Sequence, residues 1–185
     1  MDTLQKQLRE IGVEFESGLT NSEIDQIGEK FDIQFPPDLK EFYQLGLPVS
    51  ESFINWRKGI QSKDAENEIK ERINWPLEGI LFEVEKNDFW DASWGSMPAS
   101  FAEKAIIAIE KYLTYPKLVP IYGHRYIPMD PLERGNPVFS IFQMDIIYYG
   151  YNLATYFSNE FSFEIANELR LENPREIPFW SGYTD

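Results

Sequence analysis

A change of period constrains this chain more than any other feature. Up to about Tyr115 its apolar residues recur at helical spacing. From Leu118 onward they fall into short β-branched and aromatic runs separated by turn residues: Leu118–Tyr122, Arg125–Met129, Val138–Phe142 and Asp145–Tyr149. Two residues separate the last two runs, which predicts an antiparallel hairpin. Helical patterns return after Gly150. Helices, then strands, then helices again is an α+β order, not alternating βαβ. The expectation is a single domain, 1–185. Its antiparallel or mixed sheet lies in the C-terminal half, packed by N-terminal and C-terminal helices.

The helices have readable starts and stops. Leu4, Leu8 and Ile11 form a first stripe ending near Gly12. Thr20 followed by Glu23 is a capping box, with Ile24, Ile27 and Phe31 on one face behind it. Pro36-Pro37 opens a third helix carrying Leu39, Phe42 and Tyr43 inward, and Gly46 closes it. Ser62 to Trp75 reads as a helix with Ala65, Ile69 and Ile73 inward, ended by Pro76. The pairs Glu66–Lys70 and Glu68–Arg72 lie on its outer face. A helix from Ala99 to Tyr115 is apolar on two sides, which predicts Ala102, Ile106 and Ile109 buried against the sheet. Asn152 caps a helix bearing Leu153, Tyr156 and Phe157, and a last stripe runs Phe161, Ile165, Leu169.

Composition narrows the chemistry. With 14 Phe, 10 Tyr and 5 Trp the chain cannot leave its large apolar surface in water. It has no cysteine and one histidine, which removes thiolate nucleophiles, cysteine-ligated metals and His-pair sites. No cofactor is expected. Seventeen bases against 31 acids give a net charge of −14, which repels phosphate backbones and attracts basic proteins. The acids concentrate in the helical segments, while the strand region is nearly neutral. Neither a signal peptide nor a membrane span is readable, so a cytoplasmic protein is expected.

Catalytic motifs are scarce: there is no phosphate-cradling glycine loop, nucleophile elbow or metalloprotease motif. His124 lies at a turn between strands, where a hydrogen-bonding role outweighs general-base work. Asp130 and Asp145 border strands as a carboxylate pair of the kind that hydrolyses glycosides, and Asp145 can instead close a hairpin or pair with Arg125. Phe89-Trp90-Asp91-Ala92-Ser93-Trp94 reads as a core lid, or as a surface that stacks sugars or anchors a partner.

Three blocks resemble the SUKH superfamily, which includes yeast cell-wall-synthesis regulators of the Smi/Knr type and many bacterial immunity proteins. The first is Thr20 to Gly46 with its Pro36-Pro37-Asp38-Leu39-Lys40-Glu41-Phe42-Tyr43 core. The second is Phe89-Trp90 with Trp94-Gly95 and Pro98. The third runs Leu118 to Pro128, Gly135-Asn136-Pro137-Val138-Phe139-Ser140 and Asp145 to Gly150, with Tyr156 and Glu160-Phe161. Together they cover about 20–161. Residues 50–87 and the tail after 173 depart from the pattern.

The resemblance implies a non-catalytic α+β domain that acts by binding, an immunity protein that masks a toxin, many of which are nucleases. The partner surface expected from the acidic helix and the aromatic cluster is Glu66, Glu68, Glu71, Trp90, Asp91 and Trp94. His124, Arg125, Asn136, Asp145, Tyr148 and Tyr149 belong to the motif and read as structural. A scaffold for cell-wall or glucan synthesis and a carbohydrate-active protein are the alternatives.

Overall fold

A computed structural model describes residues 1–184. Helix α1 (Asp2–Glu10) buries Leu4 and Leu8, while Ile11 lies beyond its end and is exposed. After the short strand β1 (Phe15–Glu16), α2 (Asn21–Phe31) opens on the expected capping box. The Glu23 amide donates to Thr20 Oγ1 at 3.2 Å, and the Glu23 carboxylate accepts the Thr20 amide at 2.8 Å. Helix α3 (Pro37–Leu45) turns Leu39, Phe42 and Tyr43 inward, and β2 (Leu47–Pro48) pairs antiparallel with β1. Helix α4 (Trp56–Gln61) plants a fully buried Trp56 against Phe31 and Phe35.

Helix α5 (Lys63–Lys86) does not stop at Pro76. A proline has no N–H, so the Arg72 carbonyl, four residues back, loses its helical partner. The Tyr126 hydroxyl donates to that carbonyl at 2.9 Å instead. A tertiary hydrogen bond thus replaces the missing helical one, and the helix continues for ten more residues.

Helix α6 (Phe101–Tyr112) is shorter than its apolar pattern and is turned the other way. Ala108 is its buried residue, whereas Ala102, Ile106 (58% exposed), Ile109 and Leu113 (74%) face outward. The burial expected for Ala102, Ile106 and Ile109 is therefore overturned. An apolar pattern on both sides of a helix cannot say which side is covered, and Ala108, Tyr112 and Lys104 take the inner one.

Strands β3 (Leu118–Tyr122), β4 (Arg125–Pro128), β5 (Val138–Phe142) and β6 (Asp145–Gly150) form an antiparallel sheet in chain order, with β5 and β6 neighbours as expected. Asn152 caps α7 (Leu153–Phe161) by accepting the Thr155 amide at 2.8 Å. The stripe Phe161, Ile165, Leu169 does not form a helix; the chain turns at Ser162 and makes one 3-10 turn at Asn167–Leu169.

The sheet separates two buried clusters. Val119, Ile121 and Ile127 join α1 to α4 and α7 on one side. Leu118, Tyr126, Phe139, Ile141 and Ile146 join the end of α5, Trp94, Ala108 and the tail residues Ile177 and Trp180 on the other. Helix α5 belongs to both, through Ile69 and Ile73 in the first and Ile80 and Val84 in the second. It crosses the sheet end that holds the two hairpin turns. Arg72 donates to the Gly123 carbonyl in the first turn, and Gly79 meets the second so closely that a Cβ there would lie 2.7 Å from Gln143 Cα.

Candidate functional site

The acidic helix divides into a buried and an exposed part. Glu66 is buried, not on the outer face, because three cations converge on it: Lys70 at 2.6 Å, Lys63 at 2.9 Å and Lys30 of α2 at 3.2 Å. The Lys70 hydrogen bond, then those of Lys63 and Lys30, hold its carboxyl down to about 2. Such a carboxylate joins α5 to α2 and is not free for a partner. Glu68 and Glu71 are exposed as expected. The Glu68–Arg72 pair does not form; Arg72 is drawn to the Gly123 carbonyl and stacks over Trp75 at 4.1 Å.

The aromatic cluster is mostly a lid on the second core. Trp94 is buried and donates Nε1–H to Tyr115 Oη at 2.6 Å, and Trp90 meets it edge-on at 5.0 Å while donating to the Gly95 carbonyl. Asp91 accepts from the Ser93 amide at 2.7 Å and from the Tyr183 hydroxyl. Burial alone would raise the Asp91 carboxyl, but hydrogen bonds from Ser93 and Tyr183 outweigh it and leave it below its ordinary value. Trp90 and Asp91 remain half-buried at the rim.

The motif residues of the sheet hold one another. Arg125 donates to Glu160 at 2.7 Å and to Ser140 Oγ at 2.8 Å, contacts His124 Nε2, and lies 3.9 Å over the Tyr149 ring. Its acidic partner is thus Glu160 on α7, and Asp145 stays exposed at the start of β6. Burial first, then the positive charges of Arg125 and Arg72, lower the His124 pKa. Asn136 is fully buried, donates to the Pro128 and Pro131 carbonyls, and accepts from Arg175. Tyr148 donates to Ser181 Oγ at 2.5 Å. Asn136 and Tyr148 therefore moor the tail after 173.

Asp130 and Asp145 lie at opposite ends of the sheet, one in the β4–β5 connection and one beside the β5–β6 turn. They do not form the close pair that glycoside hydrolysis needs. Among the described residues no group of three or more His, Cys, Asp or Glu is placed to hold a metal ion, and no helix is long and apolar enough to cross a membrane.

The second half of the α5 surface lies beyond Pro76, the expected stop. Glu78 and Glu85 continue the acidic face, and Trp75 (44% exposed) and Phe82 (43%) lie among them. The signal was present as an unbroken spacing across Pro76, but it required the helix to survive the proline. The chain matches no protein-family model, no curated protein and no solved structure.

Proposed function

We propose that this chain is a non-catalytic protein-binding domain of the SUKH type, an immunity protein that binds and neutralises a basic toxin domain. The observation that supports it is where the charge goes. Lys30, Lys63 and Lys70 serve Glu66, Arg57 serves Glu16 and Glu23, Arg125 serves Glu160, and Lys117, Arg134 and Arg175 each hold one further acid. With Lys6, Lys86 and Lys104, eleven of the 17 bases pair with acids of the same chain, so most of the unopposed charge is carboxylate. Such a field speeds encounter with a cationic protein and keeps nucleic acid away.

The test is to isolate the protein from its native cell, identify what co-purifies, and measure the association rate from low to moderate salt. Association that slows steeply with salt, together with rescue of growth when the partner is co-expressed, supports the reading. Salt-insensitive association, or turnover of a small substrate by the purified protein, overturns it.

A further inference from the structure

The outward face of α5 carries a seam that the fold itself does not use. Glu68, Glu71, Trp75, Glu78, Phe82 and Glu85 follow at alternating intervals of three and four residues, the 3.5-residue average of a coiled-coil seam. All six are exposed. The opposite side of the helix, through Ile69, Ile73, Ile80 and Val84, already fills both cores. The seam runs about 25 Å at the helical rise.

Trp75 and Phe82 lie one turn before and one turn after Gly79, where the helix touches the β5–β6 turn at Gln143. Phe142, next to that turn, is 63% exposed. The two exposed aromatic residues of the seam therefore flank the point where the helix meets this turn. Trp75 is also held in place, because Arg72 stacks on its ring while donating to the Gly123 carbonyl. A pre-ordered aromatic loses little freedom on binding and suits an anchor.

Charge selects the occupant. Among the described residues Glu68, Glu71 and Glu78 have no cationic partner, and Glu85 pairs with Lys86 at 3.1 Å. A second copy would set these carboxylates against their own kind. We propose that this seam docks a cationic amphipathic helix of a protein partner, with apolar residues on Trp75 and Phe82 and Lys or Arg opposite the glutamates. The proposal rests on the protein-binding reading above and names its surface.

The test uses the full chain and a synthetic three-heptad peptide, Leu at the first and Arg at the fourth position of each heptad, beside a scrambled peptide of equal composition. The ordered peptide should bind at least about tenfold tighter than the scrambled one, and Trp75→Ala with Phe82→Ala should abolish that difference. Glu71→Gln with Glu78→Gln should weaken binding and flatten its salt dependence. Ile106→Gln with Ile109→Gln on α6, which leaves the charge as it is, should leave binding unchanged, and a thermal melt confirms that each variant is folded. Equal binding of the two peptides, or full binding by the Trp75→Ala, Phe82→Ala variant, overturns the seam. The same variants are then tested on the co-purified partner. Unchanged, salt-dependent association there rejects this surface and leaves the proposed function standing, whereas salt-insensitive association rejects the function itself.

Discussion

The two sides of the sheet are built by different means. The first core is made by short amphipathic helices that each bring a stripe: Leu4 and Leu8, Ile27 and Phe31, Leu39 and Phe42. The second is assembled mostly from single contributions by separate segments: Trp94 from a 3-10 turn, Ala108 from α6, Ile177 and Trp180 from the tail. A periodic stripe announces its own burial. A single tryptophan in an irregular segment does not, and its place is decided by the groove that distant elements leave for it.

The largest expected effect tests the first side. Trp56→Ala removes a fully buried indole packed edge-on against Phe31 and Phe35. It should cost about 3–5 kcal/mol in chemical denaturation. Trp180→Ala is its counterpart on the second side. Trp180 is also buried and donates to the Pro116 carbonyl at 2.8 Å, but it sits on the single 3-10 turn Trp180–Tyr183. A loss nearer about 3 kcal/mol is expected, and a greater loss than for Trp56→Ala would reverse the ranking of the two cores.

Tyr126→Phe comes next. It strips the Arg72 carbonyl of the donor that stands in for Pro76 and should cost about 1–3 kcal/mol. In a Pro76→Ala background the helix supplies its own N–H, so the same substitution should cost clearly less. An equal cost in both backgrounds would separate the tyrosine from the proline.

Acid should act mainly on the first side. Glu66 and Glu23 are both held down to about 2, Glu66 by its lysines and Glu23 first by the hydrogen bond from Arg57. Their folded values lie below the ordinary 4.5. Their contribution is therefore present above pH 4.5 and is lost as the pH falls toward 2. Melting temperature should drop through that window, and Glu66→Gln should flatten the drop.

The smallest effect is expected on α6. Ile106→Lys should stay within about ±0.5 kcal/mol, because the side chain faces solvent. A loss of several kcal/mol would restore the burial that the apolar pattern implies.

What the sequence made legible follows the same division. Local chemistry identified the Thr20–Glu23 capping box, the Pro36-Pro37 helix start, the Asn152 cap and the β5–β6 hairpin, since each is decided within a few residues. Long-range chemistry hid the rest. Pro76 breaks a helix unless a distant hydroxyl replaces its N–H, and Tyr126 is fifty residues away. Glu66 looks like one of several surface acids until Lys30 arrives from another helix. Asp145 and Arg125 are plausible partners on a neutral sheet, but Glu160 on α7 reaches the guanidinium instead. At the candidate surface, Glu68 and Glu71 were readable. Trp75 stood at the end of the expected helix with no aromatic neighbour on its face, and Phe82 was hidden, because its place on that face exists only if α5 is continuous.

That continuity has a further consequence. A single rigid rod that contributes Ile69 and Ile73 to one core and Ile80 and Val84 to the other couples their local openings. Backbone amides on the two halves of α5 should therefore exchange with solvent deuterium at closely similar rates, although they sit in separate clusters. The proline at the middle of the rod makes the Tyr126 hydroxyl the clasp of this arrangement. With the clasp removed, protection should fall first around Arg72 to Gly79 and let the two halves exchange independently.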